Sequence, residues 1–474
     1  MAHVHREPYI TLAGLTETSA LITWGAFFFD VKGEEMDGRF KIIEDKDLKF
    51  LNPPRQTTIG ESSDSYGPAK LLVWEKEGGG QPVEVSVDPK PGEKLNHAWI
   101  NGLKPDTAYR YRLMVKGEPW AEEERRDWVF RDGKQGMLPN KGRYENEFRT
   151  YPRDEQATPD FAFAVIGDFG RGVKRPSTET ARQREVAEAL AHAVSKKGVR
   201  FVLTTGDNIY AGGGSDSDWF FAYYQPYRYI INRVPVYPSC GNHDTGESEG
   251  AGGDEFTDDY AELLDNFYIR QRFLSGDADE GEALKERGLF YKFNFGRDVE
   301  FVSIDTSKQR KQQPRSFERA ENLKFIKEVL PDLQGAPSAV WRVPFFHHPA
   351  FCYGPTHGHT EEVVELLVPI FEKGGVRLAL SGHEHNLQIM KRNDVNYVLT
   401  GGAGEVRTEK LGEDAQADNV AWSATPHFLL CEYKAGKMHV TPYGELKNGQ
   451  LQPLKNVVDT KGKKVAFPLA ISGG

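Results

Sequence analysis

Cysteine is scarce: 474 residues contain three, Cys240, Cys352 and Cys431. So low a count excludes a small fold stapled by disulfides, and an odd number favours free thiols and a reducing compartment. No uncharged apolar run approaches the roughly 20 residues that a bilayer span requires, which excludes an integral helical membrane protein. Surplus cationic charge is missing too. Sixty Lys and Arg stand against 70 Asp and Glu, a formal net charge of −10. A general nucleic-acid coat is therefore excluded, because neutralising phosphates needs excess Lys and Arg. The opening Met-Ala-His-Val-His-Arg-Glu-Pro has no basic segment leading into an apolar core. As written it is not a signal peptide, so the chain reads as cytoplasmic, or as secreted or periplasmic if a leader has been removed. Internal repeats and low-complexity tracts are absent. What is present is a globular balance, 38% apolar and 27% charged, at a length that suggests roughly two to four domains.

The first 150 or so residues read as β structure. Alternation runs through Ser19–Trp24, Ala69–Trp74 and Tyr109–Val115, between turns rich in Gly and Pro. Leu103-Lys-Pro-Asp-Thr-Ala-Tyr109-Arg-Tyr111 looks like the tyrosine corner of a fibronectin type III or related sandwich. A polar insertion, about Gly33 to Tyr66, reads as an extended loop. Nothing in this region groups His, Cys or carboxylates at ligand spacing, so it is expected to be a scaffold. Tyr151–Asp160, polar with two prolines, makes a linker. Beyond it short apolar runs alternate with helical stretches, from Ser177 to about Lys197 and from about Glu361 to Lys373, as βαβ units require. The aromatic stretch from Trp219 to Tyr229 reads as packing beneath the second of the strand-end loops described next. Phe428–Tyr433 and Met438–Pro442 flank a turn and close one sheet edge.

Five short blocks follow apolar runs, each run reading as a strand: Phe161–Ile166, Val199–Thr204, Val234–Tyr237, Ala339–Phe345 and Val376–Leu380. The blocks are Gly167-Asp168-Phe-Gly170, Gly206-Asp207-Asn-Ile-Tyr210, Gly241-Asn242-His243-Asp244, Phe346-His347-His348-Pro349 and Gly382-His383-Glu-His385. Singly they say little: a Gly-Asp pair is usually a turn, and a histidine after an apolar strand is usually a core residue. Together, in order and each at a strand end, they are a strong signal. In open α/β sheets the loops after the strands' carboxyl ends collect ligand-binding groups, so five distant blocks can meet at one edge. Their carboxylates, phenol, amide and imidazoles suit iron, zinc or manganese, whereas a soft thiolate metal would want cysteine.

These blocks resemble the calcineurin-like metallophosphoesterases, and more narrowly the purple acid phosphatases. The general superfamily opens with Asp-x-His; here Asp168-Phe169-Gly170 lacks that histidine. The purple acid phosphatase pattern replaces it with a tyrosine three residues after the bridging aspartate, and Tyr210 stands three after Asp207. Gly382-His-Glu-His-Asn-Leu-Gln388 with Val398-Leu-Thr-Gly-Gly402 is similar to the tartrate-resistant branch, whereas an N-terminal sandwich is similar to the larger plant-type members. The resemblance spans about residues 160 to 440. It implies that Asp168, Tyr210 and His385 hold a first metal, that Asp207 bridges, and that Asn242, His347 and His383 hold a second. The His347 block departs from the family's Val-x-x-His form, since Val343 lies four residues before it. The His-x-Pro register selects His347 as the ligand and makes His348 a neighbour. His243 is implied to contact a phosphate oxygen. The general acid is His357 or His359: His357 fits the plant-type offset, while Gly354-Pro-Thr-His357 aligns differently with the tartrate-resistant branch.

The chemistry of this set is coherent on its own. A phosphate ester repels hydroxide; two cations about 3.5–4 Å apart neutralise it, acidify a bridging water and align the nucleophile with the leaving group. A phenolate is a hard, anionic donor suited to a trivalent ion. The expected cofactors are therefore Fe(III) at Tyr210 and a divalent partner (Fe, Zn or Mn), with activity in acid. The expected architecture is an all-β fibronectin type III-like domain over residues 1–152. Residues 153–474 would follow as a two-sheet α/β/β/α metallophosphatase sandwich. The expected reaction is hydrolysis of phosphate monoesters, with metal-bound hydroxide as nucleophile and a small-molecule ester as partner. A phosphodiesterase or nucleotidase built on the same centre is the nearest alternative. A binding module with a vestigial metal site is the alternative from another class, and the complete donor set opposes it. Cys240 and Cys352 adjoin these blocks but read as small buried hydrophobes.

Overall fold

The computed structural model describes residues 3–31, 41–42, 57–61, 67–78, 80–87, 96–122, 126–131, 134–139, 144–170, 182–210, 219–245, 247, 259–273, 288–308, 313–333, 340–418 and 420–473. They fall into two compact units. One draws on Met1–Arg153 and Ser215–Val236, the other on Asp154–Gly172, Glu179–Gly214 and Tyr237–Gly474.

Strands dominate the first unit. His3–Leu15 and Ala20–Val31 pair antiparallel, and Thr57–Glu61 and Asn96–Ile100 both pair with the second of them. A further sheet runs Glu147–Arg149, Ala108–Val115, Ala69–Glu75, Val83–Val87. Along Ala108–Val115 the period of two is plain: Tyr109, Tyr111, Leu113 and Val115 are buried, Arg110 and Arg112 exposed. The Tyr109 hydroxyl accepts the Lys104 N–H at 2.8 Å, the local bond that a tyrosine corner makes. The insertion expected as a loop contains strand: Lys41–Ile42 and Thr57–Glu61 are extended, while the rest of it lies outside the described residues. Its β-branched Thr57, Thr58 and Ile59 suit a sheet position, a preference that the surrounding polar residues obscured. The aromatic stretch also departs from expectation. Phe220 and Tyr224 pack in this first unit, with ring centroids 5.3 and 4.9 Å from Phe27, and Tyr224 lies 4.4 Å from Tyr9.

The second unit is mixed α/β with two large sheets. A six-stranded sheet runs Val236–Tyr237, Val199–Thr204, Phe161–Ile166, Phe428–Lys434, Lys437–Tyr443, Leu469–Ser472. A seven-stranded sheet runs Tyr291–Asn294, Val299–Ser303, Trp341–Phe345, Leu378–Ser381, Val395–Thr400, Leu387–Arg392, Ala421–Ser423. Phe161–Ile166 is buried at every position, as a strand covered on both faces must be. Between the sheets lies an aromatic layer: Phe163 and Phe301 are 4.9 Å apart, Phe201 and Phe293 5.3 Å, Phe161 and Phe295 4.0 Å. The seven-stranded sheet shares a hydrophobic cluster with helices, in which Val302, Phe346 and Tyr397 meet Ile326, Val363 and Phe371.

Helix Gln183–Lys197 buries Val186, Ala189, Leu190 and Ala193 along one stripe. It stops at Gly198, whose φ of 64° is the left-handed cap that glycine tolerates, with Lys196 and Lys197 at its negative end. The helix expected over Glu361 to Lys373 is two, Glu361–Leu366 and Val368–Lys373. Pro369 has no N–H to give to the preceding turn, so the ladder breaks there. Pro235 likewise delays the strand expected from Val234 until Val236.

Candidate metal centre

Each of the five blocks leaves a strand of the second unit within a few residues of its end. Asp168 follows Phe161–Ile166, Asp207 and Tyr210 follow Val199–Thr204, and Asn242 opens a 3-10 turn after Val236–Tyr237. His347 follows Trp341–Phe345, and His383 and His385 follow Leu378–Ser381. The turns are tight. Asp168, Asp207 and His383 have φ of 56°, 50° and 75°, a left-handed conformation that costs a non-glycine residue about 1–2 kcal/mol and concentrates at functional sites. Gly241 is required by proximity, since a Cβ there would stand 2.3 Å from the Asp207 backbone nitrogen.

The side chains converge in two groups. In the first, the Tyr210 hydroxyl lies 3.1 Å from Asp168 Oδ1 and 2.9 Å from His385 Nε2, and His385 Nε2 is 3.6 Å from Asp168 Oδ1. In the second, His347 Nε2 lies 2.9 Å from Asn242 Oδ1, 3.1 Å from His383 Nδ1 and 3.3 Å from Asp207 Oδ1. Ligand atoms of Asp168, Asp207 and His347 fall within 4.8 Å of one another, which joins the groups. All seven residues named for the metals are thereby brought together. His347 Nδ1 donates to the Thr205 carbonyl at 2.8 Å, leaving Nε2 as the ring's free donor atom.

This donor set fits a pair of cations. One imidazole nitrogen faces three lone-pair-bearing atoms at hydrogen-bond range, with at most one proton to share among them. Burial, together with the neighbouring carboxylates, pushes the Tyr210 phenol well above its ordinary value. Burial likewise pushes Asp168 well up, with Asp207 adding to the effect. For His347 burial acts downward, yet Asp207 and Asp168 outweigh it and raise the imidazole to about 9. So many buried acceptors around one space are what positive charge relieves.

His243 donates its backbone N–H to Asp207 Oδ1 at 2.9 Å, and its ring lies 4.3 Å from that of Tyr210. The His357 ring lies 3.8 Å from that of His383. Burial, then the Arg407 guanidinium, lowers His357 to about 4. His359, the other histidine considered as acid, instead contacts the Cys352 backbone through Nδ1 and packs edge-on against Phe351 and Tyr353. His348 Nδ1 pairs with Thr306 Oγ1 at 3.1 Å and Nε2 lies 3.8 Å from Glu247, yet a ring nitrogen of His348 also falls within 4.8 Å of ligand atoms of His347 and His383, so it borders the second group. Cys240 and Cys352 are buried.

Supporting residues emerge that sequence reasoning missed. Asp244 is buried and accepts four N–H groups, from the backbones of Asn208, Ile209 and Gly241 and from the Asn208 amide, at 2.8 to 3.2 Å. It binds the Asp207 turn to the Asn242 turn. Fully buried Glu384 holds Arg407 at 3.1 Å and accepts the His357 N–H at 2.9 Å. Arg407 in turn donates its backbone N–H to the His385 carbonyl at 2.8 Å. Both acids stand within two residues of a named ligand, but Asn208, His357 and Arg407, which they bind, lie tens of residues away.

The family model for calcineurin-like phosphoesterases matches residues 161–387. Tartrate-resistant acid phosphatase type 5 of Oryctolagus cuniculus is 31% identical over 261 residues, 53% of this chain and 75% of that protein. Purple acid phosphatase 4 of Arabidopsis thaliana is 26% identical over 278 residues, 57% and 76% of the two chains. The solved structure of purple acid phosphatase PPD1 from yellow lupin (Lupinus luteus) seeds shares the fold, with a TM-score of 0.59 at 14% identity over 94% of this chain and 73% of its own. The chain belongs to the calcineurin-like phosphoesterases, among the purple acid phosphatases. It is a binuclear metallophosphatase whose candidate ligands meet at strand ends of both sheets. No helix among the described residues is long and apolar enough to cross a membrane.

Proposed function

We propose that this protein hydrolyses small phosphate monoesters at a centre of Fe(III) beside Fe, Zn or Mn. The observation that carries the reading is the contact of the Tyr210 phenol with both Asp168 and His385. Asp168, Tyr210 and His385 would hold the trivalent ion, Asn242, His347 and His383 the divalent one, and Asp207 both. Bound there, the ions would supply neutralisation of a phosphate dianion and acidification of water. The chain's own groups do the rest. Asp207 is fixed by the His243 N–H and its turn by Asp244, so its carboxylate is pre-oriented. The His243 side chain donates to a phosphate oxygen, and the His357 side chain, beside His383, donates to the ester oxygen. The organisation that accompanies this reading is a fibronectin type III-like sandwich over 1–152, joined by residues 215–236, with a catalytic domain formed by the rest of 153–474.

Elemental analysis and an absorption spectrum of protein purified without added metal test the centre. Tyr210→Phe is expected to lose the visible band while keeping some hydrolysis; an unchanged spectrum removes Tyr210 from the iron. Asp207→Asn is expected to lower metal content and abolish turnover. Rates on p-nitrophenyl phosphate and its bis ester decide the substrate class, and a clear preference for the diester overturns the monoester reading.

A further inference from the structure

Beside His383 opens a cavity of about 430 Å³, inside the size range of small-molecule sites. Such sites are ordinarily lined by hydrocarbon and aromatic side chains. This one is not. Its ten lining residues are three glutamates, four histidines, one arginine, Gly358 and Thr360. A leaving group with an apolar body would find little apolar surface to bury against. A hydroxyl, which donates one proton and accepts two, would meet carboxylate acceptors and imidazole or guanidinium donors on every side.

The charge of the lining narrows the class. Among the described residues Arg315 is its sole permanent cation, and that charge is already engaged. Its Nη1 donates to the Thr306 carbonyl at 2.9 Å and lies 3.4 Å from Glu247, and its Nε lies 3.4 Å from Glu362. Glu361 and Glu365 also line the cavity, and among the described residues neither has an ion-pair partner. An anionic group entering here would face the exposed carboxylates of Glu361 and Glu365 and a guanidinium held by two others.

Resting on the monoester reading above, we propose that this cavity receives the alcohol half of the substrate, and that this alcohol is a sugar or polyol with no anionic group of its own. Three substrates on a common three-carbon frame test it with the metal-loaded enzyme: n-propyl phosphate, glycerol 1-phosphate and 3-phosphoglycerate. Glycerol 1-phosphate is expected to exceed each of the others in kcat/KM by about tenfold, the worth of one or two hydrogen bonds, with the difference in KM. The double substitution Glu361→Gln/Glu365→Gln is expected to raise 3-phosphoglycerate relative to glycerol 1-phosphate. A propyl ester cleaved as well as the glycerol ester overturns the proposal, as does an acid-to-polyol ratio that the double variant does not move. Failure to cleave all three, with bis-p-nitrophenyl phosphate still cleaved, overturns the monoester reading instead.

Discussion

Glu384 stands between two candidate ligands in sequence, yet its side chain serves another loop. It is fully buried, holds Arg407, and accepts the backbone N–H of His357. Gly354 lies so close that a Cβ there would stand 2.3 Å from Glu384 Cγ, so the loop bearing His357 is moulded onto this carboxylate. Glu384 is thus a positioning residue. Glu384→Gln keeps an acceptor for His357 but loosens the guanidinium. It is expected to lower kcat by about 10–100-fold, the usual cost of disturbing a metal site's supporting shell, with KM moving less. Glu384→Ala, which removes the acceptor of Arg407 and of the His357 N–H, is expected to cost about 1–3 kcal/mol of stability besides. Steady-state kinetics beside urea melts of both variants separate the effects. At this scale the convergence of the seven candidate donors was legible, because each follows an apolar strand in a recognisable block. Glu384–Arg407 and Arg315–Glu247 were not. Spacing along the chain carries no information about partners 23 and 68 residues apart.

Among the elements, legibility followed local signal. Phe161–Ile166 and Val199–Thr204 occur where their uninterrupted apolar runs predict, to the residue. Prolines decided the misses, splitting one helix at Pro369 and shortening one strand at Pro235. Thr57–Glu61 was missed because its partner, Ala20–Val31, supplies the context that its short run lacks. Helix Gln183–Lys197 offers a clean test of a local rule. A Cβ at Gly198 would meet nothing within 4 Å, so Gly198→Ala changes only the cost of a φ of 64°. The substitution is expected to destabilise by about 1 kcal/mol and to leave activity intact. Thermal melts of the two proteins check it.

Stability belongs to the whole molecule, and here acid should weaken it through an identifiable group. His427 is fully buried; its Nδ1–H is given to the Thr425 carbonyl and its Nε2 meets Thr400 Oγ1. Burial lowers its pKa to about 4, against about 6.5 for an ordinary histidine. The unfolded chain therefore takes up a proton that the folded chain refuses. The stabilisation is complete above about pH 6.5 and is lost as pH falls towards 4, up to about 3 kcal/mol in all. Urea midpoints between pH 7 and pH 4.5 are expected to fall less steeply in His427→Gln than in the parent; equal slopes would exonerate the histidine.

The interleaving of the two compact units has a practical consequence. Phe220 and Tyr224, encoded well past residue 200, complete the packing of Tyr9 and Phe27. A gene fragment that stopped at residue 153 would leave those early rings bare to water, and its product would be prone to clump. Anyone wishing to produce the amino-terminal half by itself must graft residues 215–236 back onto it.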